Sequence, residues 1–314
     1  MKAITIGPKG QLVTKEVPLL AAPDHWPLIR VKASGINRAD LLQRAGQYPP
    51  PPGASDILGL EVAGEIAFDC GPWRRGQRVM ALLDGGGYAS EVRVPPGQVM
   101  ALADTLSFEQ GAAIPEAFLT AYQALFALAG LRAGETVLIH AGASGVGSAA
   151  IQLAHHADAT VVVTCSSEAK AEYCRQLGAH QAINYCSGPW PQACPGVDVV
   201  VDVVGGDYLK GNLKVMNRDA RLVSLSMLGG RYGELDFAPL LSKRITLMGS
   251  TLRNRSEAYK ANLISDFEAE FGAALAEGEL RATVDSVYPW SQVETAHQRM
   301  TDNQNCGKLL LSRE

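Results

Sequence analysis

Apolar residues keep one rhythm at the start of this chain and another in its middle. Up to about residue 115 they fall in short Val- and Ile-rich runs broken by Gly and Pro, the punctuation of β-strands. The opening MKAITIGPKGQLVTKEV predicts a strand, a Pro-Lys-Gly turn and a second strand. Residues 28–34, 61–67, 77–82 and 89–94 predict further strands. At 48–53 the run YPPPPG predicts an extended polyproline-type loop. The texture changes near Phe118, where the Ala/Leu-rich stretch 117–131 predicts a helix. Strands at 136–140, 160–165, 182–184, 197–203, 221–226 and 245–250 then alternate with helices opening at Val146 and Glu168 and lying near 208–216. Such βαβ alternation implies a parallel sheet with helices on both faces. After Arg253 a helix at 259–277, a strand near 283–288, a short helix after Ser291 and a strand at 308–312 complete the pattern.

Composition narrows the function. The 314 residues are 47% hydrophobic and carry 28 Lys+Arg against 32 Asp+Glu, a net charge of −4. That is enough apolar material for a core, and it excludes disorder. The slight acidity argues against nucleic acid as a partner. At about 150 residues per domain, two domains are expected. The six cysteines, Cys70, Cys165, Cys174, Cys186, Cys194 and Cys306, form neither a zinc-knuckle nor a CxxC spacing. They are expected to be free and mostly buried, as in a reducing cytosol. The N-terminus lacks the apolar core of a signal peptide. Residues 136–157 hold no Asp, Glu, Lys or Arg, a length that could span a bilayer. Gly142, Gly145, Gly147, His140, Gln152, His155 and His156 interrupt it, and a buried strand, a glycine turn and a helix fit better.

The segment TVLIH-AGASGVG-SAAIQLA carries the clearest chemistry. Small residues between a strand and a helix let the backbone approach a pyrophosphate, and the helix N-terminus offers free N–H groups. Gly142 and Gly147 match the dinucleotide-binding spacing; Ser144 replaces the middle glycine and Gly145 and Val146 follow. A nucleophile elbow on Ser144 would need Gly where Val146 stands. A Tyr-x-x-x-Lys pair is absent, and no Lys-Ser/Thr follows the glycines to make a P-loop. After the second strand, Ser166, Ser167 and Lys170 supply hydroxyls and a cation suited to a 2′-phosphate, which favours NADPH. Glu168 stands near where a ribose-binding acid would lie, although it also suits the first turn of a helix behind a Ser N-cap. His140 ends a buried strand and is expected to bond a loop carbonyl; the other histidines form no ligand spacing.

With GINRADLLQRAGQYPPPPGASDILGLEVAG, HAGASGVGSAAIQLA, INY and a terminal GKLLL, the chain resembles the zinc-independent NADPH:quinone oxidoreductase branch of the medium-chain dehydrogenase/reductase superfamily. The resemblance spans essentially the whole length. It implies an α/β fold: a GroES-like β-rich catalytic domain at 1–117 and 253–314, and a Rossmann doubly wound parallel-sheet domain at 118–252. Zinc-dependent relatives place Cys where Asn37 sits and Gly-His-Glu where Gly59-Leu60-Glu61 sits, so no metal is expected. Asn37 and Tyr48 are implied to lie at the substrate carbonyl, and Thr120 and Val203 at the nicotinamide end. Ser166, Lys170 and Tyr185 are implied around the adenosine phosphate. From the residues alone, Asn37 also suits an N-cap for a helix at 38–45 with Asp40 at N3, and Tyr48 suits packing on the prolines after it.

The expected activity is NADPH-dependent reduction of a quinone or quinone-like conjugated carbonyl, with the cofactor in the cleft between domains. No dedicated general acid stands out. An alkenal or enone reductase on the same fold is the nearest alternative. An NADPH-binding sensory, structural or RNA-binding protein is the alternative of another class. The resemblance further implies a cytoplasmic homodimer, paired through the strand at 245–250.

Overall fold

The computed structural model describes residues 1–313 and divides the chain into two units, Met1–Leu119 with Leu252–Glu314, and Thr120–Thr251. The first begins with an antiparallel pair, β1 (Lys2–Ile6) and β2 (Leu12–Glu16). Then come β3 (Leu28–Ile36), α1 (Arg38–Arg44), β4 (Glu61–Ile66), β5 (Arg78–Leu82), β6 (Glu91–Arg93), β7 (Val99–Ala101), α2 (Phe108–Ala112) and α3 (Pro115–Tyr122). The strand expected over 89–94 shortens to β6, which pairs with only three residues of β3. The helix expected over 117–131 is interrupted. Regular α3 ends at Tyr122 and the chain widens into a π-helical stretch, Gln123–Leu128.

The second unit is built from β8 (Thr136–Ile139), α4 (Gly145–His156), β9 (Thr160–Cys165), α5 (Glu168–Gln176), β10 (Gln181–Asn184), α6 (Trp190–Ala193), β11 (Val197–Asp202), α7 (Tyr208–Val215), β12 (Met216–Ser224), α8 (Phe237–Ser242) and β13 (Thr246–Gly249). All six strands are parallel, in the order β10-β9-β8-β11-β12-β13. Near-continuous apolar runs such as VVVTC and VDVVV suit strands covered on both faces. β8 and β11 are neighbours although β9 and β10 lie between them in sequence, so strand order reverses at this pair. That reversal opens a crevice at the strands' C-terminal ends, where open α/β sheets bind ligands. β12 begins at Met216, earlier than the 221 expected from its apolar run, and ends at Ser224.

The chain then returns to the first unit through α9 (Glu257–Glu277), β14 (Val284–Pro289), α10 (Val293–Thr301) and β15 (Lys308–Ser312). β15 pairs antiparallel with β3 and extends the path β14-β15-β3-β4-β5-β7. Ile4, Ile36, Leu58, Tyr88, Leu309 and Leu311 pack in one core, so the final strand is structural to the first unit.

None of the six cysteines forms a disulfide, but only Cys165 and Cys174 are buried. Cys186 is exposed and the other three are intermediate, against the expectation of mostly buried thiols. Among the described residues, no helix is long and apolar enough to cross a membrane.

Candidate functional site

The glycine turn is fixed by packing. After β8 the chain passes through Ala141 at φ 53° and enters α4 at Gly145, with Ser144 as N-cap. The Ser144 hydroxyl accepts the Gly147 N–H at 3.0 Å. The N–H groups of Gly145 and Val146 begin the helix, where no intrahelical acceptor exists and the potential is positive. A Cβ at Gly142 would stand 2.8 Å from Val163 Cβ and 3.1 Å from Cys174 Sγ. One at Gly147 would meet the carbonyl of Ala141 and lie 2.7 Å from that of Gly142. Only glycine fits either place, and the result is a cradle of the kind that receives a pyrophosphate.

Three more predicted residues lie just after β9, in the first turn of α5 and just after β10. Ser166 follows β9, and the hydroxyl of the next residue, Ser167, caps α5 by accepting from Lys170 N at 3.2 Å. Tyr185 follows β10 and donates its N–H to Cys165 O at 3.0 Å, which sets it beside the end of β9 with its ring partly exposed. Glu168 turns along α5, where its carboxylate accepts from Arg175 Nη1 at 2.9 Å.

Val203 follows β11 at the strand-order reversal. A buried polar chain holds its loop. Asp202 accepts from the N–H groups of Val204 at 2.7 Å and Gly205 at 3.0 Å. Asn212 Nδ2 donates to Asp202 at 3.0 Å, and Asn212 Oδ1 lies 2.7 Å from His140 Nε2. His140 Nδ1 lies 2.9 Å from the Thr164 hydroxyl. The expected bond from His140 to a loop carbonyl is therefore replaced by two side-chain partners. Burial lowers the His140 pKa and keeps the ring neutral. This histidine ties β9 to α7.

In the first unit the chemistry gathers where α1, β4, α3 and β15 begin. The side chain of Asn37 faces that junction: Nδ2 donates to Glu61 Oε1 at 3.0 Å and Oδ1 accepts from Lys308 Nζ at 2.6 Å. Lys308 also bonds Glu61 Oε1 and the Ile36 carbonyl, the latter at 3.2 Å, so all three ammonium protons are used. Glu61 Oε2 accepts the Glu116 N–H at 2.8 Å. Of the expected capping box, the reverse half is clear: Asp40 Oδ2 accepts from Asn37 N at 2.7 Å while Oδ1 takes Gly59 N at 2.8 Å. Burial raises the Asp40 pKa to about 6.

The partner found for the Tyr48 ring is a cation. Its ring stacks under Arg253, whose guanidinium carbon is 5.4 Å from the ring centre. Arg253 is buried and donates to Asp84 O at 2.7 Å and Gln43 Oε1 at 2.8 Å. Lys260, also buried, pairs with Asp84 and donates to Arg253 O at 2.8 Å. Burial, and then the charge of Glu116, raise the Tyr48 phenol, which keeps its proton. Burial, and then Glu61, raise Glu116 to about 8. Thr120 lies one helical turn beyond Glu116 on α3, its hydroxyl buried without a partner.

Sequence reading missed Lys308, Glu116, Arg253 and Lys260. A signal was present for two of them. Lys308 heads the otherwise apolar KLLL run, and Glu116 stands inside GAAIPEAFL. A charge embedded in apolar sequence needs a buried partner. Among the described residues no three His, Cys, Asp or Glu side chains converge as a metal site.

Residues 23–104 match the family model for the alcohol dehydrogenase GroES-like domain, and residues 145–268 that for zinc-binding dehydrogenase. The mouse (Mus musculus) synaptic vesicle membrane protein VAT-1 homolog is 30% identical over 94% of this chain and 78% of its own length. The quinone oxidoreductase from Thermus thermophilus, solved alone and with NADPH, superposes with a TM-score of 0.85 at 30% identity, covering 99% of this chain and 100% of that one. The CurK enoyl reductase superposes with a TM-score of 0.84 at 27% identity, covering 100% and 99%.

Proposed function

Because this chain belongs to the medium-chain dehydrogenase/reductase superfamily, we propose that it reduces quinones or quinone-like conjugated carbonyls with NADPH and without a catalytic zinc. The carrying observation is the Asn37–Glu61–Lys308 cluster. Zinc-dependent relatives place a thiolate and an imidazole where this chain has Asn37 and Leu60, neither able to replace them on zinc. The oxygens that would attract a cation, Asn37 Oδ1 and Glu61 Oε1, already hold the Lys308 ammonium. Zinc does not fit this donor set. Without a Lewis acid an alcohol is hard to polarise for oxidation, whereas an electron-poor conjugated carbonyl accepts hydride without one.

The second unit fits a dinucleotide. Gly142, Ser144, Gly145 and Val146 would hold the pyrophosphate, and Thr120 and Val203 the nicotinamide end. Ser166, Lys170 and Tyr185 would hold a 2′-phosphate, a reading supported by Glu168 being turned to Arg175. NADPH, when bound, supplies the hydride. Asn37 keeps one amide proton after its bond to Glu61, and the Tyr48 phenol stays protonated. Both would stabilise negative charge growing on the acceptor oxygen. The same reading takes the protein as a cytoplasmic homodimer joined through β13, an edge of its sheet.

Anaerobic stopped-flow with a panel of quinones and enones, NADPH or NADH, and a chelator tests this. NADPH-dependent reduction unaffected by the chelator is expected. Loss on chelation would overturn the zinc-free reading. Tight NADPH binding with no turnover would favour a sensory or structural role. The similarity to CurK gives weight to an enone reductase, so product analysis should ask whether a quinol or a saturated ketone forms.

A further inference from the structure

One carboxyl in the first unit has an oxygen with no hydrogen-bond partner. Glu116 stands at the start of α3, and its backbone N–H is anchored on Glu61 Oε2 at 2.8 Å. Its own Oε2 is buried and bonded to nothing. Buried polar atoms in folded proteins nearly always find partners, and an orphan calls for an explanation. A second orphan accompanies it: Arg253 is 3% exposed, yet its Nη1 has no partner either. Electrostatic influence between Glu116, Arg253 and Tyr48 places the three in one cluster.

The charged groups around Glu116 fix its state. Glu61 on β4 and Asp40 on α1 oppose a further negative charge, while Lys308 on β15, Lys260 on α9 and Arg253 favour it. The two lysines are already committed, Lys308 to Glu61 and Lys260 to Asp84. Burial is the largest influence, and it keeps the carboxyl protonated at neutral pH. A protonated carboxyl is a donor, and this one has no protein acceptor for its Oε2.

We propose that Glu116 is the proton donor of this site, hydrogen-bonded through its carboxyl to the acceptor oxygen. This rests on the reductase reading above. As the acceptor gains two electrons with the hydride from NADPH, the Glu116 O–H bond breaks and an O–H bond forms on the acceptor. The nicotinamide is oxidised and the conjugated carbonyl reduced. Arg253, Lys308 and Lys260 stabilise the carboxylate left behind, and water returns its proton.

Glu116→Gln keeps the shape and a donor but cannot release a proton. Wild-type kcat should fall as pH rises through about 8. The Glu116→Gln variant should lose kcat on the order of 100-fold with a flat pH profile. Its NADPH affinity, read by fluorescence titration, should be unchanged. Glu116→Asp should keep a pH limb, displaced from the wild-type position. A readout free of turnover is difference infrared spectroscopy of wild type against Glu116→Gln. It should show a protonated carboxyl band at about pH 7 that vanishes above the pH of the kinetic limb. Matching kcat and pH profiles in wild type and Glu116→Gln would overturn the proposal, and so would a missing band. Failure of the wild type to reduce any conjugated carbonyl would instead sink the reductase reading, while the infrared result still decides the state of Glu116.

Discussion

Lys308 Nζ donates to Asn37 Oδ1 at 2.6 Å across 271 residues of sequence, joining the last strand to the start of the first helix. The same ammonium neutralises Glu61, whose side chain is wholly buried. Lys308→Met would leave that carboxylate without its cation. Breaking a buried pair from one side costs about 3–5 kcal/mol. The urea midpoint should fall accordingly, and Lys308→Met with Glu61→Gln should recover part of the loss. A single variant as stable as wild type would show that the cluster contributes nothing to folding.

Gly147→Ala drives a methyl into the carbonyls of Ala141 and Gly142, which are backbone and cannot step aside. The start of α4 must shift away from the turn. A loss of about 1–3 kcal/mol is expected. Binding of NADPH, followed by quenching of protein fluorescence, should weaken along with it. Unchanged melting and unchanged affinity would remove the close approach from the account.

Lys170→Ala should discriminate between cofactors. A charge-assisted bond to a 2′-phosphate is worth about 1.5–3 kcal/mol. NADPH affinity should drop by that amount while NADH affinity barely changes. Equal losses for the two cofactors would show that Lys170 does not read the phosphate.

Glu116 also gives a pH signature in stability. Its folded pKa of about 8 stands above the ordinary 4.5, so the native state holds this proton more tightly than the unfolded chain. The stabilisation is complete below the unfolded value and is lost as pH rises towards 8. Glu116→Gln removes this linkage. The variant should therefore gain on wild type from pH 5 to pH 9, by at least about 1 kcal/mol. Parallel stability curves would mean that Glu116 does not hold its proton in the fold.

The glycine turn was legible because its requirements are local. A strand, a small-residue turn and a capped helix occupy adjacent residues, so Gly142, Ser144 and Gly147 announced themselves. The strands Thr160–Cys165 and Lys308–Ser312 were equally plain, since each is built around a run of three apolar residues, VVV and LLL. Val203 was harder. Its place depends on β11 lying beside β8, a relation between strands separated by two others in the chain. The widened turn after Tyr122 had no signal in an Ala/Leu-rich stretch that also suits a regular helix.

The sequence by itself determined the alternation of strand and helix and the small-residue turn capped by Ser144. Each depends on residue type and near-neighbour spacing, which a chain carries in one dimension. Only tertiary structure decided what occupies the oxygens beside Asn37. The ammonium comes from β15, paired antiparallel to β3, so a residue near the C-terminus meets one near the start of α1. It also decided the charge state of Glu116. An isolated glutamate ionises freely, and only burial beside Glu61 and Asp40 makes a retained proton the lower-energy state.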